Sequence, residues 1–255
     1  MIAPAVVNFC DRHWQFRGTR ETIAMALHKV TGIDIIILNR SQSTKLGLRR
    51  YSIAQRMSWA ANRATTRKED LAYCLFGIFG VHLAPLYGEG PRRAFERLQQ
   101  EIIKDTTDLS FLAWDVESDL QDPQLSPVTS MGWSALAIAP KNFKSGPEIW
   151  NDRANPLEPF YTTNKGLCLT LPLVRHPSGD FVAALTDCYM ATPGMTPVGI
   201  FIRLYNPKDN FYYRSHMQAI CAVTPAMLEQ ARVETFYLAS RDVLAVRGLR
   251  RRGYN

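Results

Sequence analysis

A chain of 255 residues that is 46% hydrophobic, 11% aromatic and 21% charged has ordinary globular composition, which excludes disordered, collagen-like and coiled-coil classes. Its length suits one large domain or two modest ones and buries a sizeable core without metal or disulfide staples. The net charge of +7 raises nucleic acid or an anionic membrane as partners, but +4 of it lies in residues 241–255, where Arg241, Arg247, Arg250, Arg251 and Arg252 face only Asp242. A solvated basic tail explains such a run without a partner.

In chain order, the first 114 residues read as mainly helical. The first ten lack the basic start and long apolar run of a secretory leader. Thr19 is placed to cap a helix through Thr31, with Ile23, Leu27 and Val30 on one face and Gly32 as the stop. Residues 34–38 (Asp-Ile-Ile-Ile-Leu) read as a short strand or an extended continuation. Ser52 with Gln55 three residues later is a capping-box pattern, opening a helix through Met57, Ala60 and Ala61. Thr66 with Glu69 repeats the pattern and predicts a helix that buries Leu71, Leu75 and Ile78. Pro91 suits a first helical position after Gly88-Glu89-Gly90. The helix it opens turns Phe95, Leu98 and Ile102 inward and sets Arg97 four residues before Glu101, a spacing that permits pairing. Residues 109–114 are β-prone and close this half.

Residues 115–130 hold four acids in their first eight positions and two prolines, and read as a linker. From 131 to 240 the texture is β-rich, with candidate strands at 166–172, 181–188, 198–205 and 236–240. Hairpin loops are expected at Pro177-Ser-Gly179-Asp180 and Asn206-Pro-Lys-Asp-Asn210. The fold class is therefore α+β: a mainly helical first half, then a β-rich sheet or sandwich. Phe211, Tyr212, Tyr213 and Arg214 read as strand residues with one buried face rather than a base-stacking surface.

The five cysteines form no CxxC or CxxH pair, so neither a metal site nor a disulfide framework is expected. A reduced, cytoplasmic setting fits them. The most apolar run, residues 73–87, is shorter than the roughly 20 residues a membrane span needs and is broken by two glycines and a proline. No cofactor motif is present. Cys74 and His82 are eight residues apart, but Cys74 sits among apolar neighbours and reads as a buried structural thiol. Gly88-Glu89-Gly90 lacks the following lysine of a phosphate cradle and reads as a tight turn before a helix, with Glu89 near the positive helix end. The richest constellation is Arg63-Ala-Thr-Thr66-Arg67-Lys-Glu69-Asp70-Leu-Ala-Tyr73. Its arginines, acids and hydroxyls can bind an anionic or nucleotide ligand, with Glu69 and Glu89 as the acid/base candidates. They can equally form an ion-pair and capping network that locks two helices.

These same residues carry a resemblance. The stretch from Ser52 through Met57, Trp59, Arg63, Arg67, Glu69, Asp70, Tyr73 and Gly77 to Phe79 resembles the last motif of fungal heterokaryon incompatibility (HET) domain proteins. So do Leu86-Tyr87-Gly88-Glu89-Gly90, the run from Ala94 to Ile102, and the exit Asp108-Leu-Ser-Phe-Leu-Ala-Trp114. Leu136-Ala-Ile-Ala-Pro140 and Thr163-Asn164-Lys165-Gly166-Leu167 look like the β-rich region that often follows that domain. The family's longer α/β segment, with its Leu-Ser-His-x-Trp type stretch, has no counterpart here. The resemblance thus implies the C-terminal part of a HET domain (1–114), a linker (115–130), a β-rich companion (131–240) and a basic tail (241–255), in a truncated member of the family.

What the resemblance implies is a role in non-self recognition and programmed cell death. It points to a non-catalytic interaction or regulatory chain that meets protein partners of incompatibility signalling. The alternatives are a TIR-like enzyme cleaving NAD or another nucleotide, and a nucleic-acid binder acting through the tail.

Overall fold

The computed structural model describes residues 6–39, 45–116, 134–152, 158–191, 194–215 and 219–240. The chain opens with an antiparallel hairpin of β1 (Asn8–Cys10) and β2 (Phe16–Thr19), which no sequence signal announced. Helix α1 (Ala24–Thr31) ends at Gly32, whose left-handed backbone lets its N–H reach His28 O at 2.8 Å. Its start differs from expectation. Thr19 closes β2, and Ile23 takes the cap position without a side-chain bond. Val30 lies 76% exposed, while Ala24 is the buried residue of this helix.

Residues 34–38 are helical, not extended. The Asp34 carboxylate accepts the Ile36 N–H at 2.7 Å and opens α2 (Ile35–Asn39). Burying Ile37 and Leu38 beside Ala24, Ile33 and Leu48 then overrides the β preference of three successive isoleucines. A short α3 (Lys45–Leu48) follows.

Helix α4 (Ile53–Ser58) has the expected capping box, with Gln55 N donating to Ser52 Oγ at 3.0 Å and Ser52 N to Gln55 Oε1 at 2.9 Å. It is shorter than expected; Ala60 and Ala61 sit in turns beyond it. The Thr66–Glu69 box does not form. Helix α5 (Asp70–Tyr73) starts with no side-chain cap, and α6 (Phe76–Phe79) is a separate turn, so Leu75 is buried but Leu71 and Ile78 only half so. Helix α7 (Pro91–Ile103) runs as expected and buries Phe95, Leu98 and Ile102. Residues 109–112 coil into a 3₁₀ turn rather than a strand, because Asp108 caps it by accepting the Ser110 N–H at 2.9 Å.

The β-rich part is one sheet of eight strands: β3 (Ile149–Asn151), β4 (Tyr161–Thr162), β5 (Leu167–Arg175), β6 (Phe181–Met190), β7 (Thr196–Asn206), β8 (Phe211–Arg214), β9 (Ile220–Ala222) and β10 (Arg232–Leu238). The expected strands are β5, β6, β7 and β10, and both expected hairpin loops are present. The pairings β5–β6–β7–β8–β10 return to β5 and close a ring of five strands, in which only β8 and β10 run parallel. In β8 three of the four residues are buried, not one alternating face.

Alternation along the strands serves two cores. Leu167, Leu169, Leu171 and Leu173 face a main core that they share with Ile53, Met57, Phe95, Leu98, Phe111 and Trp114. Val174, Val182 and Ala184 face the other side, where they meet Val223 and, from the short α8 (Pro225–Glu229), Met227 and Leu228. Side chains from residues 53–116 and from the strands thus pack into one cluster.

Of the expected linker, Asp115 and Val116 are built in: Val116 is buried, and Asp115 accepts a 2.8 Å bond from Ser145 Oγ. The rest of that linker and the basic tail lie outside the described residues. Among the described residues, no helix is long and apolar enough to cross a membrane.

Candidate functional site

Two polar clusters stand out. The first gathers most of the constellation read from the sequence. Gly88 (φ 94°) and Gly90 (φ 84°) adopt backbone conformations that disfavour L side chains, and their amides both reach Glu69 Oε1, at 3.1 and 3.3 Å. This is where the Glu69 side chain goes in place of the capping box. Its acidity rises in consequence: its own main-chain amide first, then Gly88, hold its pKa below the usual value.

Tyr73 Oη accepts the Leu86 N–H at 2.9 Å and lies 2.9 Å from both Leu86 O and Glu89 Oε1, so its single hydrogen serves one or the other. Burial, then the bond to Glu89, raises its pKa. Arg97 closes the cluster, with Nη1 at 2.5 Å from Glu89 Oε1 and Nη2 at 3.2 Å from Ala84 O. The expected Arg97–Glu101 pair does not form. Glu101 pairs with Lys104 at 2.6 Å. Tyr87 donates to Asp70 Oδ1 at 3.1 Å, which raises the tyrosine's pKa, and Arg67 stacks 4.3 Å above the Tyr87 ring.

Every residue of the predicted network therefore converges except two. Arg63 and Thr66 are exposed and, among the described residues, make no side-chain hydrogen bond within the cluster. The assembly ties α5 to the 84–90 loop and to the start of α7. Cys74, half-buried with its thiol pKa pushed up by burial, is not an activated nucleophile.

The second cluster is buried and was not read from the sequence. Asp187, in β6, accepts the Leu109 N–H at 3.0 Å and Asn151 Nδ2 at 2.6 Å. Asp108 accepts the Ile53 N–H at 2.8 Å, the Ser110 N–H at 2.9 Å and Asn151 Nδ2 at 3.2 Å. Cys188 Sγ donates to Asp187 Oδ1 at 3.1 Å. Burial drives the Asp187 pKa up to about 6, against the pull of the Leu109 amide, and pushes the Cys188 thiol well above its usual value.

One ligand-type atom each from Asp108, Asp187 and Cys188 lies within 4.8 Å of the others. Cysteine spacing gave no hint of this trio. All four carboxylate oxygens already receive protein donors, so the arrangement reads as a hydrogen-bonded joint between α4, the 3₁₀ turn, β3 and β6. Nearby, Arg214 is fully buried over the Trp114 ring at 4.0 Å and donates to Leu112 O at 2.5 Å and to Trp114 O. Burial lowers its pKa to about 9, which leaves it charged at neutral pH. The one signal that could have exposed this joint is a lone acid, Asp187, inside an otherwise apolar strand.

Comparison with known proteins gives a partial answer. Over 105 residues the chain is 45% identical to the vegetative incompatibility protein HET-E-1 of Podospora anserina. That stretch is 41% of this chain and 7% of the relative, so the chain spans only a small part of the protein it matches. No family model matches the chain, and no solved structure matches it.

Proposed function

We propose that this chain acts in fungal vegetative incompatibility, in non-self recognition, as a non-catalytic unit that binds or regulates protein partners. The observation that carries the reading is the 45% identity to HET-E-1. The geometry of the acid/base candidates supports the non-catalytic part. Glu69 Oε1 is held by two backbone amides of the 88–90 turn, and Glu89 Oε1 by Tyr73 and Arg97. A carboxyl whose pKa is lowered, as that of Glu69 is, carries no proton to give at neutral pH. These groups fix a turn against two helices rather than face a free reacting group.

The test is expression in a fungal host together with an assay of the purified chain. Colony growth and cellular NAD stay unchanged in the expected result, while cross-linking in an extract from an incompatible pairing yields a specific protein adduct. Steady NAD consumption by the pure chain, lost on Glu89→Gln, would overturn the reading in favour of a nucleotide-cleaving enzyme.

A further inference from the structure

Exposed apolar side chains gather in one part of the molecule. Trp14 (87% exposed), Phe16 (62%), Met25 (72%) and Val30 (76%) all belong to the β1–β2 hairpin and α1. Among the described residues β1 and β2 pair only with each other, and a two-stranded hairpin with bare edges is marginal in water by itself. Trp14 is held in its exposed place. Its backbone takes φ 61°, sparsely populated for a non-glycine residue. Asp11 fixes that turn by accepting the His13 and Gln15 N–H groups at 2.8 and 3.0 Å and pairing with Arg17 at 2.5 Å.

The helical period sorts α1 into two faces. Ala24 and Leu27 turn toward Ile33, Ile37 and Leu38 in the small core. The opposite face carries two rows at four-residue spacing: Glu21, Met25 and Lys29, then Thr22, Ala26 and Val30. Glu21 and Thr22 come from the turn that leads into the helix, where the Ile23 N–H already reaches Thr19 O at 3.2 Å. Five of the six are exposed, and Glu21 is half-buried. Phe16 borders the second row, because it shares the β2 face of Gly18, where a Cβ would lie 2.6 Å from Thr22 Oγ1. Lys29 makes no ion pair among the described residues.

The first row runs acid, apolar, base, which makes it complementary to itself. Turned antiparallel about Met25, it meets a second copy with each lysine against a glutamate, and the two helix dipoles oppose each other. The small Ala26 beside the crossing point lets the helices approach closely. Trp14 and Phe16 offer up to about 150–250 Å² each when covered. With Met25, Val30 and the polar residues between them, the face approaches the roughly 800 Å² that each partner covers in a standard interface.

We propose that α1 and the β1–β2 hairpin form the contact of a two-fold symmetric dimer of this chain, in which α1 lies antiparallel to its copy and Lys29 pairs with Glu21 of the partner subunit. The dimer goes beyond the incompatibility reading and does not depend on it.

Sedimentation of the purified full chain over a dilution series tests it. The expected result is a reversible dimer of twice 28.9 kDa that falls to the monomer mass on dilution. Met25→Asp, at an exposed position, should weaken association by about tenfold or more, because it presses an unpaired carboxylate against its own copy. Lys29→Glu and Glu21→Lys each bring like charges together and should weaken the dimer to a similar degree. Mixing these two variants should restore it, because both ion pairs form again across the mixed contact. A monomer at every concentration, or a dimer that Met25→Asp and Lys29→Glu leave unchanged, would overturn the proposal. Glu21 also pairs with the buried Arg20 at 3.1 Å. If Glu21→Lys fails to fold for that reason, the other two variants decide alone.

Discussion

Glu69 and Asp187 do the same chemical work with opposite consequences. Each accepts two N–H donors, at 3.1 and 3.3 Å for Glu69 and at 3.0 and 2.6 Å for Asp187. Yet the pKa of Glu69 falls and that of Asp187 rises to about 6. The difference is water. Glu69 keeps its solvent contact, so the donors act on a charge that is already hydrated. Asp187 has lost that hydration, and two or three hydrogen bonds do not replace it while Asp108 adds a like charge beside it. The first carboxylate locks a surface turn; the second joins the strands to the helical part at an electrostatic cost.

That contrast is broken most forcefully at Asp108. Asp108→Ala leaves three donors, Ile53 N, Ser110 N and Asn151 Nδ2, without their acceptor in a buried setting. Each such orphan costs about 1–3 kcal/mol, so the variant should lose about 3–5 kcal/mol in urea unfolding. A loss below about 1 kcal/mol would mean that the joint is wet, and the comparison with Glu69 would collapse.

Asp187→Asn should act in the other direction. The folded protein keeps the Asp187 proton up to about pH 6, whereas the unfolded chain releases it near 3.8. The contribution of this group is therefore fully present below pH 3.8, falls as pH rises to about 6, and stays low above it. The span corresponds to about 3 kcal/mol. Asparagine keeps an oxygen for Leu109 and Asn151 and turns its amide toward Cys188 Sγ. The variant should gain on the wild type between pH 4 and 6 and remain more stable at pH 7 by up to about 3 kcal/mol. Parallel urea profiles for the two proteins across that range would show that Asp187 is not desolvated.

The same divide explains what was legible in the sequence. Signals that act within a few residues were readable: Ser52 with Gln55, Gly32 as a helix stop, Pro91 as a helix start, and the 177–180 and 206–210 loops. Glu69, Asp70 and Tyr73 stand out in the sequence as one charged cluster, and Gly88-Glu89-Gly90 as a turn, but nothing in the spacing says that Tyr87 and Glu89 fold back onto that cluster. Local patterns misled where a distant partner outbid them. Glu69 left the predicted capping box for amides 19 and 21 residues away, and Arg97 left Glu101 for Glu89. The buried joint was invisible because its bonds span 55 and 78 residues, from Asp108 to Ile53 and from Asp187 to Leu109. No spacing rule reaches that far. The closing of β10 against β8, which makes the ring, is equally non-local.

The smallest expected effect lies at Glu69 itself. Glu69→Gln keeps an amide oxygen for Gly88 and Gly90, so the turn should stay closed and neutral-pH stability should change little. What the substitution removes is charge. A carboxyl with a lowered folded pKa contributes stability that is present above its ordinary value of 4.5 and is lost as pH falls through the folded value. The wild type should therefore weaken relative to Glu69→Gln on acidification below about pH 4.5. That slope is opposite in sign to the Asp187 slope and lies at lower pH. Measuring both variants in one acid series separates the two carboxylates, because a hydrated acceptor and a desolvated one can share a sign only if the solvent exposure of one of them differs from that of the folded structure.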